Sequence, residues 1–318
     1  MRIFSSSGPI GTRPIVLVSR AVSAAGRYNA IIFTLLATCA LALLASCNGA
    51  PKAVFTELAE ARRLTADLRV QFNKAADASD RAVMADTDPA SVAFAHDANQ
   101  ATAAVQKDVA ELAPHVHDLG YSNAIDALDA FQKRLKEYLT LDGSILELAV
   151  ENTNLKAQRL AFGPAREAAD SFRDALQTLA NDAQPKDRCR VDALVSKAIL
   201  SVRDIQVLQA PHIAEANDAA MTRIEGQMVA LEAGASEALK GLAGFIDAKG
   251  RPDLSFALVS LDRFKDLSSQ IVTLSRRNSN VRSLALSLRE KPALTGACDD
   301  SLRALEEALA KESSTATR

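Results

Sequence analysis

The stretch Ile145-Leu-Glu-Leu-Ala-Val-Glu-Asn-Thr-Asn-Leu-Lys-Ala-Gln-Arg-Leu160 has an echo in Ile271-Val-Thr-Leu-Ser-Arg-Arg-Asn-Ser-Asn-Val-Arg-Ser-Leu-Ala-Leu286. Each places two asparagines, one residue apart, inside an apolar run with helical spacing. Upstream, Leu128, Phe131, Leu135, Tyr138, Leu141, Ile145 and Leu148 recur at three and four, which is one face of a long helix. With Ile145 at heptad position a, Phe131, Tyr138 and Asn152 are also a, and Leu141, Leu148, Leu155 and Phe162 are d. In the echo, Phe264, Ile271 and Asn278 are a, and Leu267, Leu274, Val281 and Leu288 are d. Asn152 and Asn278 are thus expected on the buried stripe, with Asn154 and Asn280 off it. A buried asparagine at an a position fixes helix register at a cost in stability, and its amide needs a partner. Two readings follow. The asparagines form a structural polar layer, or they line a ligand pocket between helices, where Arg277 and Arg282 would suit a carboxylate.

The echo extends well beyond the asparagines. A shift of 126 residues superposes Leu128 on Leu254, Leu135 on Leu261, Tyr138 on Phe264, Ile145 on Ile271 and Leu176 on Leu302. Upstream the shift becomes about 130, pairing Asp88 with Asp218, Leu112 with Leu242 and Gly120 with Gly250. An internal repeat of this kind predicts two related structural units. No sustained period-two run is bounded by turn residues, so no sheet is expected. Helices are predicted near 53–86, 90–118, 122–162 and 165–182, then 188–215, 218–248, 253–289 and 292–311. Pro89, Gly163-Pro164 and Lys291-Pro292 suit helix starts, while Pro114 and Pro211 predict kinks or early stops. The fold class is all-α: two tandem antiparallel helical-bundle units related by duplication. They span 47–184 and 185–311, with a polar tail at 312–318.

The N-terminus speaks to compartment. Residues 1–47 carry Arg2, Arg13, Arg20 and Arg27 and no acidic residue, and an apolar run from about Ala30 to Leu44 follows the last of these. A basic region, a short apolar core and small residues before a cut site make a secretory signal. The run is shorter than the roughly 20 residues of a membrane span. Leu44-Ala45-Ser46-Cys47 resembles the lipobox of bacterial lipoproteins. That resemblance implies removal of 1–46 and acylation, with palmitate among the acyl groups, at Cys47; the alternatives are a plain signal peptide or an uncleaved anchor. Asn48 implies sorting to the outer membrane, facing the periplasm. The expected attachment is a lipid anchor alone. Loss of the four leader arginines takes the formal charge from −2 to −6, which argues against nucleic acid. Cys189 and Cys298 then remain, and a cysteine pair in an exported protein reads first as a disulfide, with two free buried thiols as the alternative.

Chemistry-bearing motifs are scarce. His115 and His117 are two apart and point to different sides of a helix; His96 and His212 lack matching ligands nearby. There is no phosphate-cradling glycine loop, HExxH, CxxC or nucleophile elbow. The expectation is a protein that is not an enzyme, with no metal and no cofactor.

The segment Asp77-Ala-Ser-Asp-Arg-Ala-Val-Met-Ala-Asp86, with Ile145 to Asn154 and Leu160-Ala-Phe-Gly-Pro164, resembles the four-helix-bundle sensor domain of methyl-accepting chemotaxis receptors. The resemblance covers about Val54 to Leu179 and, more weakly, the second unit. It implies an extracytoplasmic bundle that binds a small molecule or a partner binding protein and often forms a homodimer. The chain departs from that family in having no second transmembrane helix and no signalling hairpin. The expected function is a lipid-anchored, sensor-like binding module for a small molecule or envelope partner. The alternative is a structural or assembly lipoprotein that binds another envelope protein.

Overall fold

The asparagine motifs interrupt two long helical spines. In the computed structural model, which describes residues 50–316 with side chains placed for 54–311, every regular element is helical. The helices are α1 (Ala50–Met84), α2 (Asp88–Leu119), α3 (Ser122–Glu151), α4 (Thr153–Leu160), α5 (Arg166–Asn181), α6 (Arg188–Ala214), α7 (Asp218–Ala243), α8 (Arg251–Arg277), α9 (Ser279–Arg289) and α10 (Lys291–Ala316). A π-helical turn, Ala161–Ala165, joins α4 to α5. The lipidation site Cys47 and its leader lie outside the described residues.

Local chemistry explains the ends. The Thr87 side chain accepts from the Ala90 amide to cap α2, and Asn217 does the same for Ala220 at α7. Pro89 and Pro252 occupy first turns, where the missing N–H costs nothing. Gly120 closes α2 at φ 69°, a left-handed value that glycine adopts freely. Pro114 and Pro211, expected to stop or kink their helices, lie inside α2 and α6, which run past them. Gly163-Pro164, expected to open a new helix, is absorbed in the π turn. The wider turn accommodates a proline that cannot donate to the carbonyl four residues back.

The cores do not follow the expected partition at residue 184. The first bundle packs α1, α2 and α3 with the last helix, α10: Leu68, Phe72, Phe131 and Tyr138 share a core with Leu302 and Leu305. Phe72 meets Phe131 edge-on at 6.0 Å and Tyr138 at 5.1 Å. The second bundle packs α6, α7 and α8 with α5: Phe172 and Leu176 meet Val202, Ile205, Leu239 and Phe264. Each bundle is therefore completed by a helix from the other half of the sequence. The cause is continuity. The chain from α3 to α5 continues as helix after Asn152, as does the chain from α8 to α9 after Asn278, so neither fourth helix turns back on its own half.

This exchange removes the predicted disulfide. Cys189 is a free, exposed thiol at the start of α6 in the second bundle. Cys298 is free and buried in the core of the first. Burial pushes the Cys298 thiol up to about 12.

Candidate functional site

Asn152 and Asn278 both adopt the left-handed helical region, at φ 50° and 55°, and are the only non-glycine residues with positive φ among those described. Asparagine tolerates this conformation better than most L-residues. Each therefore separates two helices rather than sitting within one. Both are buried, as expected, but the heptad phase does not survive them. Asn154, expected off the stripe, is 5% exposed, whereas Phe162 and Leu288, expected at d, are 65% and 69% exposed. A single left-handed residue rotates the face that follows it.

The two breaks meet. The Thr153 amide donates to Ser279 Oγ at 3.1 Å, and the Ser279 amide donates to Thr153 Oγ1 at 3.0 Å. The Asn154 amide donates to Asn280 Oδ1 at 3.1 Å, and the Asn280 amide returns the bond to Asn154 Oδ1 at 3.2 Å. Arg277 pairs bidentately with Glu151. These three pairs are each 126 residues apart. Asn154 Nδ2 also donates to Asn278 Oδ1 at 2.8 Å and to the Ile213 carbonyl at 2.6 Å. Asn280 Nδ2 donates to Asn152 Oδ1 at 2.9 Å. Asn278 Nδ2 donates to the Glu215 carbonyl at 2.8 Å, but Asn152 Nδ2 is buried without a partner.

The layer is thus a self-complementary lock. Apart from Asn152 Nδ2, its side-chain donors and acceptors satisfy one another, the first amides of α4 and α9 and the carbonyls at the end of α6. Arg277, predicted as a carboxylate ligand, already holds Glu151, whose carboxyl it keeps below its ordinary value. Arg282 is exposed beside it.

Two charged clusters flank this layer. In the first bundle Lys291, 3% exposed, lies 2.8 Å from Asp80 and 3.3 Å from Asp142, which also accepts from Ser79 Oγ at 2.5 Å. Burial pushes the Asp142 carboxyl above its ordinary value, against the pull of Lys291 and Ser79. In the second bundle Glu225 receives Arg276 at 2.6 Å and fully buried His212 at 2.8 Å. Arg276 first, and then His212, hold the Glu225 carboxyl below its ordinary value. Sequence spacing shows neither cluster, because the partners come from helices that meet only through the exchange or across a hairpin.

An open groove of about 370 Å³ runs between the α4–α5 junction and α6. Ala161, Ala169, Phe172 and Val202 line its base and are buried. Phe162 and Val207, each 65% exposed, stand at its edge, with Arg166, Arg173 and Arg203 around them. The π turn shapes this groove by changing the phase of the helix at Phe162. Val207 also lines a second, largely apolar groove of about 460 Å³ with Leu208, Ala230 and Leu231 on α6 and α7.

No group of three or more histidine, cysteine or acidic residues could hold a metal among the described residues. No helix among them is long and apolar enough to cross a membrane. No protein-family model matches the chain, and no curated protein is significantly similar to it.

Proposed function

We propose that the protein is a lipid-anchored, periplasm-facing binding module of the sensor type, and that it binds on the flank of its second bundle rather than in the asparagine layer. The observation that carries this reading is the groove at the π turn. It combines exposed apolar side chains with three guanidinium groups, while the asparagine layer, Asn152 Nδ2 apart, uses its polar groups on itself and on the Ile213 and Glu215 carbonyls. Small-molecule sites are typically concave, mainly apolar and fitted with a few polar groups. The resemblance to chemoreceptor sensor bundles and to a lipobox supports the setting. The test is a thermal screen of organic acids, amino acids and amphiphiles on the mature protein, with Phe162→Ser alongside. A ligand that raises Tm in the parent and not in the variant supports the reading. A screen whose hits are indifferent to Phe162 overturns the site. Membrane fractionation of Cys47→Ser tests the anchor: unchanged attachment and N-terminal mass would remove it.

The same proposal includes the duplication. Equivalent positions carry the two left-handed asparagines and the two helix caps, Thr87 and Asn217. Contacts between residues one repeat apart are what a local twofold axis requires. The halves are best read as copies of one bundle unit whose fourth helices have changed places.

A runner-up, assembly onto another envelope protein, draws on Phe256 and Val259, 56% and 63% exposed near the start of α8. Co-purification abolished by Phe256→Ser but not by Phe162→Ser would favour it.

A further inference from the structure

We infer that the groove at the π turn takes an acyl carboxylate, with its anionic head at Arg203 and Arg166 and its chain passing over Val207. This rests on the binding reading above and specifies the ligand class. Arg173 is engaged by Asp170 at 2.6 Å and Asp174 at 2.9 Å. Arg166 is held more loosely, 3.8 Å from Asp170, which also lines the groove, and Arg203 makes no ion pair among the described residues. Arg203 is thus the available guanidinium, with Arg166 weakly held beside it, and a guanidinium recognises a carboxylate through paired N–H donors.

Phe162, Ile199, Val202 and Val207 offer apolar surface beside those arginines. Val207 lies at the border of both grooves, and the second is lined by Leu208, Ala230 and Leu231, with Asp204 and Gln227 as its polar members. An elongated apolar body can therefore cross the crest of α6 at Val207 and cover both. A compact polar anion would use only the arginines and leave the apolar edge wet.

The first bundle provides an internal comparison. With the same shifts, Val202 corresponds to Phe72, Val207 to Asp77 and Arg173 to Asp299. Phe72 is fully buried in its core, and the other two are carboxylates. The corresponding face has thus lost an apolar edge residue and reversed a charge. The amphiphilic, basic groove belongs to the second bundle.

The probe is octanoate below its micellar range, added to the isotopically labelled mature protein and followed by amide chemical shifts. Acetate keeps the head without the chain, and octanamide keeps the chain without the charge. The expected result is saturable shifts centred on Phe162, Arg203 and Val207, with both controls binding at least about tenfold more weakly. Arg203→Gln and Val207→Asp, both at exposed positions, should each weaken octanoate about tenfold while leaving Tm unchanged. Equal binding of octanamide, shifts centred elsewhere, or indifference to Arg203→Gln would overturn the inference. So would binding of an acidic amphipathic peptide at this groove with no response to octanoate. Failure with octanoate alongside a Phe162-dependent hit from the wider screen would remove this ligand class and leave the binding site standing.

Discussion

Replacing Asn278 by alanine and by glycine tests the left-handed break through the sign of a difference. Inside an ordinary helix alanine is more stable than glycine by about 1 kcal/mol. At φ 55° the order should reverse. A Cβ in the left-handed region costs about 1–2 kcal/mol, while glycine adopts it freely and loses about 0.5–1 kcal/mol through its looser unfolded chain. Glycine should therefore exceed alanine by roughly 0.5–1 kcal/mol. Both variants also lose the bond from Asn278 Nδ2 to the Glu215 carbonyl and the acceptor for Asn154 Nδ2. Asn154 keeps its bond to the Ile213 carbonyl, so the net loss is about one to two bonds, or about 1–2 kcal/mol. Asn278→Ala should cost about 2–4 kcal/mol in all. Asn152 makes a second comparison. Its Nδ2 has no partner, so Asn152→Ala should cost about 1 kcal/mol less than Asn278→Ala. Urea unfolding of the four variants, with m-values checked for constancy, reads every term. Alanine equal to or better than glycine at both sites would refute the break. A stabilised Asn278→Leu would restore the coiled-coil reading, in which the amide merely occupies an apolar stripe.

Lys291→Met should cost about 3–5 kcal/mol by stranding Asp142, and adding Asp142→Leu should recover much of that loss in equilibrium unfolding. Cys189 should react with a thiol reagent in the native protein, whereas Cys298 should react only on unfolding, with or without reductant; mass spectrometry of the labelled peptides decides. Glu225 has a lowered folded pKa, so its contribution is present above the unfolded carboxylate pKa and lost as pH falls through the folded one. Glu225→Gln should therefore flatten the acid limb of Tm against pH, and an unchanged limb would count against the Arg276–His212 cluster. Asp142 has a raised folded pKa, so its contribution runs the other way: stability falls as pH rises from the unfolded value through the folded one, and Asp142→Asn should flatten that part of the profile.

Helix content, the 126-residue echo and the burial of Asn152 and Asn278 were legible because each is written in local periodicity. The backbone conformation of the asparagines was not. An a-position asparagine inside a helix and a left-handed asparagine between helices share the same neighbours in sequence. What separates them is whether apolar positions downstream keep their phase. Leu288 loses it, and its exposure is the physical record of the rotation; at Phe162 the π turn adds a second change of phase. The disulfide expectation failed for a related reason. It assumed that the helix starting near Cys298 closes its own half, whereas continuity through Asn278 and α9 carries that helix into the first bundle. The groove is illegible in sequence because its walls come from two helices and its edge residue, Phe162, falls at a d position of the heptad.

The exchanged arrangement raises the question of why α10 and α5 do not occupy each other's places, since each contributes leucines to a bundle core. The buried polar positions supply a selection rule. In the first bundle the slot facing Lys291 contains Asp142, Asp80 and Ser79. In the second, the positions that the 126- and 130-residue shifts in sequence pair with these are Ala165, Ser268 and Gln209, and Gln209 Nε2 donates to Ser268 Oγ at 3.2 Å. Placing α10 in the second bundle would bury Lys291 against a neutral pair. Placing α5 in the first would leave Asp142 facing Ala165 without a cation. Each misplacement strands a buried charge, a cost of several kcal/mol that two correctly seated helices avoid. The ion pair need not stabilise the fold relative to an apolar core to do this. It is enough that the wrong pairing is worse, which is how a buried charge gives two similar helices separate addresses.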